Sequence, residues 1–403
     1  MQILLGSAGS RGDVMPILEI ASEMKGRGHT VRVFVPGHFL DEAARRELPA
    51  ERFATDSRGL MQNLDSGWRS AKRTADWARQ AMEEQLELLL PATRDADAVV
   101  TMANEVGAPT LAEYLRIPHF RVCLIPCLPG DAPPPVQPLQ NLPPLLNRLL
   151  WSGVELGTMN IFGKALNKKR KVLLLPEVRR FSDYAAGYSH NLLAMDPMLA
   201  PPCRGWKYPY SYVGYPFGGD DGDLSPQVEA FLGAGSPPIY IGFGSICLPN
   251  PEKTTEIILD ALAVVGCRAI LASGWTKLGV CKRPPENVLF LEDAPHKKLF
   301  PKMAGIIHHG GSGTTHNAAR SGQPQAIIPQ MLDQYFWGKR IFDLGIGPKP
   351  VPQTSLTKRK LVKIFRELSF PYHRRQARAV SELMRLDGIR NIADKIEGGV
   401  TKS

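Results

Sequence analysis

The chain repeats one rhythm: a short apolar run, a glycine turn, then a stretch whose apolar residues fall three and four apart. Gln2 to Leu5 is the first apolar run, and Gly6 to Gly12 is the turn. From Pro16 to Gly26 the positions Ile17, Leu18, Ile20, Ala21 and Met24 have helical spacing. After the Gly28-His29 turn the chain is apolar again from Val31 to Val35. Strand, helix and strand of these lengths predict a βαβ unit, which implies a parallel sheet with right-handed crossovers. Ala98 to Thr101 and His119 to Leu124 read as later strands of that sheet. Pro126 to Pro144 is proline-rich and reads as a loop. Leu145 to Lys171 then reads as an apolar helix with a basic end.

The rhythm restarts after a break. Between Tyr215 and Gln227 lies Gly218-Gly219-Asp220-Asp221-Gly222-Asp223, a flexible acidic linker that marks a domain boundary. Pro238 to Phe243 is a strand running into a glycine turn, and Thr254 to Val265 is a helix. Ala269 to Ala272, Val288 to Leu291, Gly305 to His308 and Gln325 to Ile328 are strands with helices between them, and after Pro371 the chain is helical to its end. The fold class is therefore α/β, with two doubly wound domains. Facing each other, they leave a cleft at the carboxyl ends of their strands, where such folds bind ligands.

Composition supports this picture and narrows the partners. With 403 residues, 43% of them hydrophobic, there is material for two cores of roughly 200 residues each. The net charge of +10 gathers at Lys168-Lys169-Arg170-Lys171, Lys358-Arg359-Lys360 and Arg374-Arg375. Such clusters suit anionic partners or form solvated faces. They are not interleaved with aromatics, and no recognition motif accompanies them, so nucleic acid is not the expected partner. Six cysteines are too few for a disulfide scaffold, and none has zinc-ligand spacing with histidine. They read as reduced thiols of a cytoplasmic protein. The first residues form a strand rather than a signal peptide. No uncharged apolar run approaches the ~18 residues a membrane span needs, so membrane contact would be peripheral.

The most informative run is His308-His309-Gly310-Gly311-Ser312-Gly313-Thr314-Thr315. It follows the apolar stretch Ala304 to Ile307 and precedes a helix-like segment, Asn317 to Arg320. Strand, glycine loop and helix start present free backbone N–H groups to a phosphate, and the helix dipole adds to the attraction. A dinucleotide site does not fit. The first turn spaces its glycines as G-x-x-G-x-x-G, and the second strand ends Phe34-Val35-Pro36 without the acid that would hold a ribose.

These residues resemble a known family. Asn287 through Pro352 is similar to the donor-binding segment of family 1 glycosyltransferases of the UDP-glycosyltransferase superfamily, which have the GT-B fold. Ala294-Pro295-His296, the 308–315 run, Pro324, Pro329 and Asp333-Gln334 carry the likeness. Phe336-Trp337-Gly338 and Gly345-Ile346-Gly347-Pro348-Lys349-Pro350 resemble the sterol 3-beta-glucosyltransferase branch. So do Gly9-Ser10-Arg11-Gly12-Asp13-Val14, Pro16, Gly28-His29-Thr30-Val31 and Ile239-Tyr240-Ile241-Gly242-Phe243-Gly244-Ser245. Antibiotic-aglycone glycosyltransferases share the first and third of these more loosely. The implied organisation is an acceptor-binding domain over 1–215, a linker over 216–227 and a nucleotide-sugar-binding domain over 228–380. A terminal helix, 381–403, packs back on the first domain.

Glycosyl transfer must stabilise a leaving diphosphate, hold the sugar, and take a proton from the acceptor hydroxyl. The resemblance assigns the first task to the 308–315 run without a metal. The amides of Ser312, Gly313 and Thr314 would hold the phosphate with help from the two hydroxyls, with Gly310 and Gly311 shaping the loop and His308 nearest the phosphate. Asp333 and Gln334 would hold sugar hydroxyls. Ala294 and His296 would lie at the nucleotide base, with Trp275 as a stacking candidate or a core residue. Plant relatives have a tryptophan where Asp293 stands and a ribose-binding glutamate where His316 stands. Ser10, Arg11, Gly12, Gly244 and Ser245 complete the donor side. Asp13 is the candidate base, although a carboxylate there also suits a helix start.

The expected activity is inverting, cofactor-free transfer of a hexose, from UDP-glucose, to a hydroxyl of a sterol or other hydrophobic lipid. The alternatives are a natural-product aglycone as acceptor with a UDP- or dTDP-sugar, and, remotely, a non-catalytic nucleotide-sugar-binding protein. Lys297-Lys298 departs from the acid and aromatic usual in the sterol branch, which leaves the acceptor open. The apolar helix ending at Lys168–Lys171 could rest on an anionic membrane or be a core helix with a solvated end.

Overall fold

A computed structural model describes residues 1–53, 68–92, 95–135, 138–218, 222–244, 248, 250–274, 278, 285–293 and 295–401. The first sheet has seven parallel strands: β1 (Gln2–Gly6), β2 (Thr30–Pro36), β3 (Ala50–Phe53), β4 (Ala98–Met102), β5 (His119–Cys123), β6 (His190–Leu193) and β7 (Tyr210–Tyr212). Their order is β3-β2-β1-β4-β5-β6-β7. In the second sheet β8 (Ile239–Gly242), β9 (Ala269–Ala272), β10 (Val288–Leu291), β11 (Gly305–His308) and β12 (Gln325–Ile327) lie in the order β10-β9-β8-β11-β12. All these pairs are parallel. Helices cover both faces, so β4, β5, β8, β9 and β11 are buried at every position, and all but β5, which carries His119 and Arg121, read as largely apolar runs. Strand order reverses between β1 and β4 and again between β8 and β11. Those two switch points, with their glycine turns, face one cleft.

The elements depart from the sequence pattern in instructive places. β7 is three residues, Tyr-Ser-Tyr, none of them fully buried, so it offers no apolar run. The helix expected from Thr254 starts at Pro251, because the Asn250 side chain accepts a hydrogen bond from the Lys253 amide at 3.0 Å. The single helix expected over 145–171 is two, Pro144–Thr158 and Lys164–Val172, joined by a π-helical turn at Met159–Gly163. The helical tail breaks between Pro371–Leu383 and Gly388–Val400. Gly388 stands at the break, where any Cβ would collide with the Tyr215 carbonyl. The last helix lies against the first, Arg11–Gly26. Arg27 meets Asp394 at 2.6 Å and Glu397 at 2.9 Å, and Ile392, Ala393 and Ile396 join the core that contains Ile17 and Met24.

That core does not stop at the first domain. It continues into Trp337, Ile341 and Ile346 of the second. Polar contacts cross the same seam. The Ser312 hydroxyl donates to the Leu124 carbonyl at 2.9 Å. The Asp196 amide donates to His316 Nε2 at 3.1 Å, and the Asp196 carboxylate accepts from the Arg385 amide at 2.7 Å. Arg340 Nε donates to the Leu199 carbonyl at 2.7 Å. Trp337 is fully buried at this seam and touches His316 edge-on. Trp337→Ala should therefore lower unfolding stability by ~3–5 kcal/mol in a urea titration. An unchanged midpoint would mean that the seam carries little of the fold's stability.

Candidate active site between the two sheets

The cleft has a volume of about 2050 Å³ and is lined by both domains. On the second-domain side, β11 ends at His308 and the chain turns through Gly310, whose φ is +97°. The following helix, Ser312–Arg320, starts five residues earlier than its sequence suggests. The amides of Ser312, Gly313 and Thr314 are thus the unbonded donors of a helix first turn, and no side chain caps it. The glycines are sterically required. A Cβ at Gly310 would sit 2.7 Å from Ile327, one at Gly311 2.5 Å from the His309 ring, and one at Gly313 2.8 Å from the Tyr215 hydroxyl. Gly244, with φ +69°, lets β8's loop pass the same His309 ring.

The two histidines part company here. His308 is fully buried and both ring nitrogens are engaged: Nε2 with the Gln325 amide oxygen at 2.8 Å, and Nδ1 accepting from the Gly310 amide at 3.1 Å. Burial drives its pKa down to about 3, so the ring is neutral. It braces the loop from beneath instead of lying nearest a phosphate. The imidazole that lines the cleft is His309, which burial holds at about 4, and its Nδ1 has no hydrogen-bond partner among the described residues. The Ser312 hydroxyl is likewise committed to Leu124, which leaves its backbone amide and Thr314 for a ligand. His316 faces the domain seam: Nδ1 bonds the Ser312 carbonyl at 2.8 Å, Nε2 accepts from Asp196, and the ring stacks on Tyr215. His296 lines the cleft between the Tyr240 hydroxyl and the Phe300 ring. Ser245, Trp275 and Ala294 lie outside the described residues.

The facing wall comes from the first helix. Asp13 closes a capping box: its carboxylate accepts from the Ser10 amide at 2.9 Å and from the Ser10 hydroxyl at 3.2 Å. A Cβ at Gly9 would fall on that carboxylate, so the glycine makes room for it. Burial raises the Asp13 pKa against these hydrogen bonds. Arg11 and Gly12 are exposed at the mouth, and Arg11 reaches Asp293 of the other domain at 3.4 Å. Asp333 accepts from Trp337 Nε1 at 3.0 Å, and burial, with the charge of Asp13, pushes it up to about 7. Gln334 is buried, and its amide oxygen accepts from the Gln330 and Met331 amides, so it shapes the loop beside Asp333.

Two groups escaped sequence reading. Glu105 follows β4, accepts from the Ala8 amide at 2.6 Å and from Gln85, and is pushed by burial up to about 8. Arg121, on β5, is buried and lines the cleft. The rule that strand carboxyl ends carry function marks the loop holding Glu105, but nothing local marks either residue. Among the described residues no group of three His, Cys, Asp or Glu side chains is arranged to hold a metal ion.

Comparison with known proteins shows the family and agrees with the fold. Residues 3–128 match the glycosyltransferase family 28 N-terminal domain, and residues 256–387 match the C-terminal domain of erythromycin biosynthesis protein CIII-like proteins. The glycosyltransferase GtfE of Amycolatopsis orientalis is 32% identical over 99% of this chain and 98% of its own length. A sterol 3-beta-glucosyltransferase of Arabidopsis thaliana is 30% identical over 95% of this chain, which spans 65% of that protein. Among solved structures, the glycotransferase of kitacinnamycin superposes with a TM-score of 0.78 at 18% identity, over 99% of this chain and 98% of that one.

The elevated Asp333 has a consequence for stability. An aspartate raised from its ordinary value near 4 to about 7 binds its proton more tightly folded than unfolded, so stability falls as pH rises through that window. Asp333→Asn removes the cost of the charge. The variant should melt higher than the parent at pH 8 and lose that advantage at pH 4; equal melting temperatures at both would show that Asp333 is not perturbed.

Proposed function

The chain belongs to the glycosyltransferases of GT-B fold, and we propose that it moves a hexose from a nucleotide sugar to a hydroxyl of a hydrophobic acceptor with inversion. The observation that carries this reading is the placement of Asp13 and the uncapped amides of Ser312–Thr314 on facing walls of one cleft. In the proposed reaction the acceptor oxygen attacks the anomeric carbon as the bond to the diphosphate breaks. The acceptor's proton goes to Asp13, whose raised pKa makes it a stronger base than a free aspartate. The electron pair leaves with the diphosphate, whose growing charge meets the helix N-terminus. Asp333, close to half-protonated near neutral pH, both accepts from and donates to sugar hydroxyls.

UDP-glucose is the donor that the sterol-branch motifs favour, with a sterol or similar lipid as acceptor. The likeness to a vancomycin aglycone glucosyltransferase and a dTDP-epi-vancosaminyltransferase of Amycolatopsis orientalis supports the second reading, a natural-product aglycone with a UDP- or dTDP-sugar. Measuring nucleotide release from UDP-glucose, UDP-galactose and dTDP-sugars, with a sterol and a polyketide offered, separates the two. Asp13→Asn should lower kcat at least ~100-fold while donor affinity stays similar; near-normal turnover would remove Asp13 from the mechanism.

Lipid acceptors fit a further surface. No helix among the described residues is long and apolar enough to cross a membrane. The Pro144–Thr158 helix nevertheless exposes Leu145 at 68%, Leu149 at 61% and Leu156 at 64%, and the next helix ends in Lys168, Lys169 and Lys171. Together they suit peripheral contact with an anionic bilayer. Sedimentation with vesicles should show binding that needs anionic lipid and weakens with salt; failure to sediment in either condition ends the membrane reading.

A further inference from the structure

Among the described residues two arginines are buried in the first domain, and they are treated differently. Arg170 is fully satisfied: it pairs with Glu113 at 2.9 Å and donates to the Pro176 carbonyl and the Thr110 hydroxyl. That is what a structural buried cation requires. Arg121, only 6% exposed, has no such arrangement. Its hydrogen bonds go to the Asn191 amide oxygen at 3.2 Å, to the Cys123 thiol at 3.6 Å and to the Cys127 sulfur, none of them a carboxylate. Among the described residues no carboxylate acts on it; burial and the hydrogen bond with Cys127 keep the Cys123 thiol protonated, and Cys127 is the sulfur whose pKa is lowered beside the guanidinium. Asn191 is itself pinned, its amide nitrogen donating to the Ala186 and Pro209 carbonyls, so it holds the guanidinium in one orientation.

Arg121 and Cys127 both line the cleft. The strand that carries Arg121 is two places along the sheet from β1, whose loop leads to Asp13. At the usual strand spacing that is roughly 10 Å across the sheet. We propose that Arg121 anchors a carboxylate on the acceptor, at the far end of the molecule from the hydroxyl that receives the sugar. The inference rests on the reading of the cleft as a glycosyl-transfer site and names the acceptor class more narrowly: a hydrophobic hydroxy acid. A single guanidinium with five donors suits a monoanion held by two parallel hydrogen bonds. The neighbouring His119, neutral and bonded to Thr101 and Ser189, adds no second charge. The Cys127 thiol, whose pKa the Cys123 hydrogen bond and Arg121 pull below the ordinary thiol value, is the partner of the guanidinium that the carboxylate replaces.

The test is equilibrium binding at pH 7, without donor, of two probe pairs: a hydroxysteroid carboxylic acid and its methyl ester, and a phenolic carboxylic acid and its methyl ester. In at least one pair the acid should bind 10-fold or more tightly than the ester. Arg121→Gln should bring that ratio to about one, and Arg121→Lys should keep part of it, since a point charge remains without the fork. The proposal is overturned if the parent protein binds neither acid better than its ester, or if the preference survives in folded Arg121→Gln. Should Arg121→Gln fail to fold, the parent's ratio and Arg121→Lys decide. Sugar transfer to both members of a pair with no acid preference would sink this inference and leave the transferase reading intact. Acid preference without transfer to any acceptor would do the reverse.

Discussion

One pair of hydrogen bonds ties the second domain's central helix to the first domain. The Ser312 hydroxyl donates to Leu124, and His316 accepts from the Asp196 amide while stacking on Tyr215. Both residues lie in the first two turns of the Ser312–Arg320 helix, and both partners belong to the other domain. Buried polar groups without partners are costly, so this helix is satisfied only when the two domains are docked as they are. Docking then does two things at once. It leaves the first-turn amides as the helix's open donors toward the cleft, and it sets Asp13 on the wall opposite. His316 stands where plant relatives have a ribose-binding glutamate. In this chain the position serves the seam.

The electrostatics of the cleft follow from the same enclosure. Asp13, Asp333 and Glu105 are all raised by burial, and the Asp13 charge raises the other two. His296, His308 and His309 are all lowered by burial and are neutral. The cleft's histidines therefore add no positive charge near neutral pH. In the proposed reaction the backbone amides and the helix dipole meet the phosphate's charge, which is the arrangement that helix N-termini provide. Arg121, buried in the cleft's lining, stands on the first-domain side.

Much of this was legible in the sequence, and the rest was hidden for physical reasons. The first βαβ unit and the strands of the second sheet stood out because parallel strands buried on both faces must be apolar throughout. β7 has no such constraint at the edge of its sheet, and it passed unseen. The glycine run marked the turn and helix start at the cleft, but two adjacent histidines cannot reveal which one faces it. Side chains at the end of a strand alternate, so His308 and His309 point apart, and only the strand's end point settles which lies in the cleft. The engagement of the Ser312 hydroxyl with Leu124, and of the Gln334 amide oxygen with the 330–331 amides, emerges only from packing, although both residues line the cleft. Glu105 and Arg121 were invisible for a related reason. Their character depends on what Gln85 and Asn191 bring to them across the fold.

The central claim is that the amides of Ser312, Gly313 and Thr314 grip a diphosphate across the cleft from Asp13. A crystal structure with UDP or dTDP bound tests it most directly. The account predicts phosphate oxygens within hydrogen-bonding distance of those three amides, with His308 making no contact. A diphosphate bound elsewhere in the cleft, or one held by side chains with the three amides unengaged, would contradict it.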